Sequence, residues 1–236
     1  MRILVIGSGR MGRLVAAHAP AYGFEAAGIL DRAANEGGTG VTAERCRGLD
    51  VAVDFSTPEA TLATAPRLAA LGVSLVIGTT GWLAREAELR EAVARAGVGA
   101  VVAANFSLGA NVLDALTEQA ARLLAGSEAY GAFIHEAHHA AKKDAPSGTA
   151  LMLRRALERG GWARPVDVSS TRAGSIPGTH TVGLDGPAET VELVHTVRDR
   201  GTFAHGALAA ARWVVGKKGW FTMRDVLGLP GRRSSG

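Results

Sequence analysis

The stretch Arg2-Ile-Leu-Val-Ile-Gly-Ser-Gly-Arg-Met-Gly12 decides the fold of the N-terminal half of this 236-residue chain. A short β-rich run leads into the pattern Gly-x-Gly-x-x-Gly, and helical apolar spacing follows. This order predicts a strand, a tight turn that approaches a pyrophosphate, and a helix packed closely on the strand. We therefore expect a dinucleotide site formed by Gly7, Ser8, Gly9, Arg10, Met11 and Gly12.

An acidic residue follows the predicted second strand, Phe24 to Leu30. Asp31 lies about twenty residues beyond the glycines, where a carboxylate binds the adenosine ribose hydroxyls in such folds. Arg32 comes next and could hold a 2′-phosphate or stack on adenine. The pair leaves NADH and NADPH both open as the cofactor, and a solvated turn is the alternative interpretation.

Three further buried runs alternate with helical stretches: Val51 to Phe55, Ser74 to Ile77 and Gly99 to Ala103. This alternation predicts a parallel sheet with helical crossovers. Ligands of such sheets bind at the carboxyl ends of the strands. Two turns at these ends are candidate cofactor contacts, although ordinary turn chemistry explains either one alone: Gly78, Thr79 and Thr80, and Ala103, Ala104, Asn105 and Phe106.

The stretch from Glu136 to Ala150 concentrates the chemistry of the chain. It contains two of only four lysines, Lys142 and Lys143, in a chain with 22 arginines, and three of the seven histidines lie between His135 and His139. A lysine can give up a proton, whereas a guanidinium effectively cannot. We infer that this stretch supplies an acid and does not only bind an anion.

The residues around this stretch predict one pocket. Tyr130 to Glu136 alternates as a strand, so His138 and His139 point to opposite faces unless the strand ends near Ala137. A helix follows from Ala145, capped by Asp144 or Ser147. The N–H groups of Gly148 and Thr149 then lie at a helix N-terminus, where a carboxylate could bind.

The same stretch closely resembles the signature of the dihydrodipicolinate reductase family, Glu-(Ala/Leu)-His-His-x-x-Lys-x-Asp-Ala-Pro-Ser-Gly-Thr-Ala, and matches it at every specified position. The resemblance implies that His138 is the acid/base residue and Lys142 the catalytic lysine. It also implies that His139, Gly148 and Thr149 bind the substrate carboxylates, with Ser147 in the same turn. The alternative is a polar loop with surface lysines and a core histidine.

Other segments extend the resemblance over nearly the whole chain. The turns at residues 78–80 and 103–106 resemble loops that line the nicotinamide side in this family. Residues 171–180 resemble its Arg-Ala-Gly segment, and residues 219–227 resemble its closing segment, which packs back on the nucleotide domain. Family members are commonly homotetramers, so the resemblance also implies that assembly.

The chain is therefore expected to be an α/β protein with two domains. A Rossmann-type parallel sheet comprises residues 1–106 plus 213–236, and a substrate and oligomerisation domain with a mixed sheet comprises residues 107–212. Predicted strands at 166–170, 179–184 and 189–197 supply that second sheet. His195 lies on an apolar face there and reads as a sheet histidine rather than a ligand.

Composition narrows the classes of partner. The formal charge of +4 comes with scattered arginines and only 5% aromatic residues, which disfavours a nucleic-acid surface. One cysteine, Cys46, suits a reducing cytoplasm. Neither a membrane span nor a signal peptide is evident, and no metal-ligand set is evident.

The family resemblance implies an NAD(P)H-dependent reductase of a small unsaturated dicarboxylate, acting in lysine and diaminopimelate biosynthesis, and the dinucleotide motif and the predicted carboxylate site agree with that expectation. Two alternatives stay open. Another Rossmann oxidoreductase acting on an imine or amino acid would share Gly7 to Gly12 without needing the segment from Glu136 to Ala150. A catalytically silent nucleotide-binding homologue would show a degraded motif.

Overall fold

The computed structural model describes residues 1–229, which form two compact units. One unit comprises Met1–Ser107 together with the chain from Gly201 onward, and the other comprises Leu108–Arg200. The return to the first unit precedes the residue 213 expected from the sequence, because the helix Gly201–Val214 packs on strands of that unit. Residues 230–236 of the expected segment lie outside the described residues.

The first unit is built on a six-stranded sheet in the order β10-β5-β4-β3-β1-β2, and every strand pair is parallel. This confirms the predicted Rossmann-type sheet, and the closing segment supplies its edge strand β10. The strands are β1 (Arg2–Ile6), β2 (Glu25–Leu30), β3 (Val51–Asp54), β4 (Ser74–Ile77), β5 (Gly99–Val102) and β10 (Gly219–Phe221).

Helices cover this sheet and complete its core. The central strands are almost wholly buried, as expected of a parallel sheet with covered faces, and their Val, Ile and Leu side chains form a continuous apolar cluster. The helices of this unit are α1 (Arg10–His18), α2 (Pro58–Ala70), α3 (Glu86–Ala96), α6 (Gly201–Val214) and α7 (Met223–Val226).

The topological switch point of the sheet lies between β1 and β3, and two glycines there pack closely against backbone carbonyl groups. Gly7 has φ +100, a conformation that favours glycine, and a Cβ there would lie 2.3 Å from the carbonyl oxygen of Phe55. A Cβ on Gly12 would lie 1.9 Å from the carbonyl oxygen of Gly7. These glycines let β1, β3 and α1 meet closely at the switch point, where such sheets bind ligands.

The second unit is a mixed four-stranded sheet in the order β7-β6-β8-β9, with β6 and β7 parallel and the other pairs antiparallel. This confirms the predicted second sheet. Ile134, Leu153, Leu157 and Val182 are fully buried in its core. Its elements are α4 (Leu108–Leu124), β6 (Gly131–His138), α5 (Gly148–Arg159), β7 (Val166–Arg172), β8 (Thr179–Asp185) and β9 (Thr190–Thr196).

Within residues 1–229, none of the helices combines the length and the apolar character needed to cross a bilayer. Cys46 is a buried free thiol in the core of the first unit, and burial raises its pKa.

Candidate active site

Strand β6 carries the two central side chains of the site on its buried face. Its burial alternates strictly, so Glu136 and His138 point inward beside the apolar Ala132 and Ile134. The strand extends to His138, one residue past Ala137, and His139 follows it in a turn with intermediate exposure. The structure therefore brings His138 into the buried cluster and leaves His139 at its edge.

The Glu136 side chain is fully buried and surrounded by donors. Its Oε1 accepts hydrogen bonds from Nη2 of Arg172 at 2.6 Å, from Oγ of Ser170 at 2.6 Å and from the backbone N–H of Ser147 at 3.3 Å. Its Oε2 lies against Nδ1 of His138. The carboxylate thus connects β6, β7 and the start of α5 to the histidine ring.

This environment separates the proton affinities of the two groups. Burial alone would raise the pKa of Glu136, but the hydrogen bonds from Arg172 and Ser170 and the nearby positive charges outweigh it and lower the pKa to about 2. Burial lowers the pKa of His138 below its usual range, while the charge of Glu136 opposes that shift. At neutral pH Glu136 is therefore ionised, and the imidazole of His138 is the group of the pair that can gain and lose a proton.

A second histidine packs on the first. The rings of His180 and His138 meet edge to face with centroids 5.0 Å apart, and Nε2 of His180 lies 3.2 Å from Oγ of Ser147. Burial, followed by the charge of His138, lowers the pKa of His180 to about 4. His180 is thus a neutral wall of the site at physiological pH, with Ser147 fixing its ring.

Lys142 lies in the turn after β6. Its Nζ donates hydrogen bonds to both carboxylate oxygens of Asp144, at 2.7 and 2.9 Å, and these bonds lower the pKa of Asp144. The Lys142 side chain is 23% exposed, whereas Lys143 is an exposed residue. Nη2 of Arg172 also donates to the carbonyl oxygen of Asp144 at 2.6 Å. Arg172 therefore contacts both Glu136, which lies against His138, and Asp144, which binds Lys142.

The helix α5 begins at Gly148, and Ser147 rather than Asp144 is its N-cap. Oγ of Ser147 accepts the N–H of Ala150 at 3.2 Å. Because Ser147 also donates its own N–H to Glu136, its polar groups are used within the protein. Gly148 is exposed, and a Cβ there would meet nothing within 4 Å. With Thr149 beside it, this first turn has open space at the helix N-terminus for a carboxylate.

Among the described residues, Glu136, His138 and His180 form the one group whose potential metal-ligand atoms lie within 4.8 Å of one another. The residues do not fit a metal ion well. Arg172 already places a cation 2.6 Å from Oε1 of Glu136, and the other oxygen of that carboxylate faces His138. The cluster is better suited to holding a proton than a divalent cation.

The predicted dinucleotide turn lies at the N-terminus of α1. Gly9 is the extended N-cap residue, no acidic residue occupies the first helical turn, and Nε of Arg13 donates to the carbonyl oxygen of Ser8 at 2.8 Å. A cavity of about 840 Å³ opens beside the helix, and a Cβ on Gly9 would meet nothing within 4 Å. Its lining fits an anionic cofactor: Ser8, Gly9, Arg10, Arg13, Leu14 and Ala17. Met11 follows with intermediate exposure.

Asp31 and Arg32 follow the carboxyl end of β2, as the spacing predicted. Oδ1 of Asp31 accepts the N–H of Ala34 at 2.9 Å, so part of the carboxylate holds the local turn. Arg32 is exposed. A ribose contact by Asp31 and a phosphate contact by Arg32 both stay predictions.

The turns after β4 and β5 lie at the same carboxyl edge of the sheet. Oγ1 of Thr79 accepts the N–H of Ser56 at 2.8 Å and donates to Oδ1 of Asp54 at 3.0 Å, while Thr80 follows it. A Cβ on Gly78 would collide with the Phe55 ring at 2.1 Å. Residues 103–106 follow β5, and Phe106 packs edge to face on Phe55 with centroids 5.9 Å apart. Their cofactor contacts likewise stay predictions.

Sequence reasoning missed several residues that organise these sites. Burial raises the pKa of Asp54, whose carboxylate joins the turns after β3 and β4. Arg172, Ser170 and His180 complete the Glu136 cluster, and two of these, Arg172 and His180, belong to the segment that resembles the family's Arg-Ala-Gly segment. Strand register brings these residues together. It places Ser170 opposite Glu136 on one side and His180 opposite it on the other, and it pairs Arg172 with His138.

Replacing Gly9 by alanine is expected to weaken NAD(P)H binding at least about tenfold without loss of stability, because the methyl group enters open space where a pyrophosphate would approach. Cofactor titration by fluorescence and thermal unfolding measure the two effects. Gly126→Ala is the matched control, since a Cβ there also meets nothing within 4 Å. Equal cofactor affinity in both variants would contradict the assignment of this turn.

Comparisons with known proteins identify the family to which this chain belongs. The family model "Dihydrodipicolinate reductase, N-terminus" matches residues 1–106, and "Dihydrodipicolinate reductase, C-terminus" matches residues 109–227. A 4-hydroxy-tetrahydrodipicolinate reductase from Stenotrophomonas maltophilia is 44% identical, covering 96% of this chain and 98% of the relative. One from Rhodopseudomonas palustris is 37% identical, covering 97% and 98%.

Among solved structures, a dipicolinate-bound dihydrodipicolinate reductase from Paenisporosarcina sp. TG-14 superimposes with a TM-score of 0.75. It is 21% identical and covers 94% of this chain and 97% of its own, so it supports the fold. A diaminopimelate dehydrogenase from C. glutamicum shares the fold more distantly, with a TM-score of 0.53 at 16% identity. The two family models and the relatives show that the chain belongs to the dihydrodipicolinate reductase family.

Proposed function

We propose that this chain reduces 4-hydroxy-tetrahydrodipicolinate, by way of its dehydrated form, to tetrahydrodipicolinate, and that His138 and Lys142 carry the proton chemistry. Family membership supports the reaction. The observation that carries the residue assignment is the buried Glu136–His138 pair, with Lys142 close enough for its charge to affect the pKa of His138. When bound, NADH or NADPH supplies the hydride, which adds at C4 of the ring.

The proton is the contribution of the protein. Hydride addition leaves an enamine, and the neighbouring ring carbon must be protonated to complete a two-electron reduction. An imidazole with a pKa below its usual range gives up a proton readily, and a dianionic substrate nearby favours its charged form. His138 is therefore the proposed acid, and Lys142 the alternative donor.

The substrate carboxylates need cations and N–H donors. The turn at Gly148 and Thr149 offers open space at a helix N-terminus, and His139 lies at the edge of the cluster with intermediate exposure. The ammonium of Lys142 has three N–H donors, of which Asp144 uses at most two. We assign these groups to the two carboxylates, and Ser147 to holding the turn.

We propose a homotetramer built through the second unit, which size-exclusion chromatography with light scattering would test against a monomer of 24.3 kDa. We also propose a cytoplasmic enzyme. The single buried thiol of Cys46 and the absence, within residues 1–229, of a helix able to span a membrane are compatible with that location.

The reaction is tested by oxidation of NADH and of NADPH, run separately, with the heterocycle generated in situ from pyruvate and aspartate semialdehyde by its synthase. Rapid oxidation that depends on the synthase is the expected result. No oxidation by folded, cofactor-bound protein would favour a catalytically silent homologue. Oxidation with other imines but not with this heterocycle would favour the alternative oxidoreductase.

Cofactor choice provides a further prediction. Arg32→Ala is expected to weaken NADPH binding about tenfold while leaving NADH binding nearly unchanged, because only NADPH carries a 2′-phosphate for a guanidinium to pair with. Separate titrations with both nucleotides measure the ratio, and Arg45→Ala on the same unit is an exposed control. An equal loss for both nucleotides would assign Arg32 to adenine stacking instead.

A further inference from the structure

We propose that Glu136 is a positioning residue that holds Nδ1 of His138 inward, so that Nε2 is the atom that delivers the proton. The inference rests on the proposed function of His138 and extends it to a named atom and a named partner. In this arrangement the carboxylate sets both the tautomer of the ring and the ease with which the ring carries a charge.

The two ring nitrogens of His138 lie in different surroundings. Nδ1 faces Oε2 of Glu136, a side chain with no exposed surface. Nε2 and the adjacent Cδ2 face Gly178, where a Cβ would lie only 3.1 and 3.2 Å away. Gly178 has φ +145, which favours glycine, and its lack of a side chain leaves room around Nε2. One nitrogen therefore faces a carboxylate, and the other faces a glycine that presents no side chain to it.

The Glu136 carboxylate is itself held in place. Three donors on Oε1 come from β7 and from the start of α5, so Glu136 cannot turn without losing several hydrogen bonds. Arg172 would be sufficient to neutralise the buried charge. The carboxylate nevertheless directs its second oxygen at His138, as expected of a group that orients an imidazole and stabilises the imidazolium.

The charged and titratable groups around His138 come from four elements. Glu136 lies on the same strand, Lys142 in the turn that follows, Arg172 at the end of β7 and His180 on β8. The Glu136 carboxylate is the one anion of this set. It raises the pKa of His138, whereas burial and the charges of Lys142 and Arg172 lower that pKa. Removal of its charge would therefore make the imidazolium harder to form, which lowers the pH at which the acid is available.

Glu136→Gln is the sharpest test, because the carboxamide keeps the size and an oxygen acceptor but loses the charge. At pH 7 we expect kcat to fall at least about tenfold, with KM for the substrate and Kd for NADH changed less than about twofold. We also expect the decline of kcat with rising pH to move at least about one pH unit lower. A residue that only supports the fold would leave the position of this decline unchanged.

A readout independent of turnover separates this inference from the proposed reaction. In wild-type protein with ¹⁵N-labelled histidine, NMR should show neutral His138 protonated at Nδ1 and unprotonated at Nε2, with its signals assigned by their loss in His138→Ala. Glu136→Gln should reduce that preference. This result would stand even if the enzyme failed to reduce the proposed substrate.

The structure provides matched controls on the opposite face of the same strands. His135 on β6 lies 3.0 Å from Oγ of Ser169 on β7, so Ser169→Ala removes a comparable serine contact outside the cluster. It should change neither kcat nor the pH profile, whereas Ser170→Ala should lower kcat about fivefold. Should Glu136→Gln fail to fold, Ser170→Ala carries the test.

Three results would overturn the proposal. One is an unchanged kcat and pH profile in folded Glu136→Gln, or in Ser170→Ala if the first variant does not fold. Another is a loss of kcat with no movement of the pH profile, which would make Glu136 a structural residue only. The third is wild-type His138 protonated at Nε2, which would assign proton delivery to a different atom.

Discussion

Replacing His138 by alanine is expected to lower kcat by about 10² to 10⁴ while leaving cofactor binding intact. The side chain is the buried, titratable end of the Glu136 pair, and alanine leaves no group there that can hold a proton. The predicted cofactor residues lie in the other unit, so Kd for NADH should not change. Burial lowers the pKa of His138, so wild-type activity should decline as pH rises above that value.

Steady-state kinetics across pH and a separate cofactor titration measure these effects. His135→Ala is the matched control, because it removes a histidine from the same strand but from outside the buried cluster. The control should retain kcat. Unchanged turnover in folded His138→Ala would remove this histidine from the mechanism and leave Lys142 as the acid.

Replacing Lys142 by alanine is expected to lower kcat/KM by about 30-fold to 10³-fold. This is the range for losing one member of a desolvated, hydrogen-bonded charge pair, here the ammonium and a carboxylate of the bound substrate. Its ammonium is only partly exposed and is directed by Asp144. If Lys142 binds a substrate carboxylate, the loss should fall mainly on KM. If it also delivers the proton, kcat should fall with it.

The neighbouring lysine provides the control. Lys143→Ala removes the same charge one residue away from an exposed position and should change kcat/KM less than about twofold. Equal losses in the two variants would show that the net charge of the turn, rather than the position of Lys142, attracts the dianionic substrate.

Local pattern was sufficient to predict most of the fold. The run from Arg2 to Gly12 required a strand, a turn and a helix because glycine alone fits the close approach to Phe55 and the positive φ at Gly7. Alternating buried runs then required a parallel sheet. The placement of α6 was less accessible, because apolar helical spacing does not specify which sheet a helix covers.

The partners within the site were harder to predict than its residues. The motif from Glu136 to Ala150 identified the histidines and lysines, yet the role of Glu136 depends on Ser170 and Arg172, which are 34 and 36 residues away. Only strand register brings them together. Ser147 is a similar case, since the family resemblance implies a residue of the substrate turn, and the structure adds hydrogen bonds with Glu136, His180 and Ala150. Its contact with the substrate stays a prediction.

The central claim is that the cofactor supplies a hydride and the protein supplies a proton to adjacent ring carbons. The most direct measurement follows both atoms: the reaction is run with NADH dideuterated at C4, then with ordinary NADH in D₂O, and the product is examined by NMR. Deuterium is expected at C4 from the cofactor and at the neighbouring carbon from solvent. Product without cofactor-derived deuterium at C4 would contradict it.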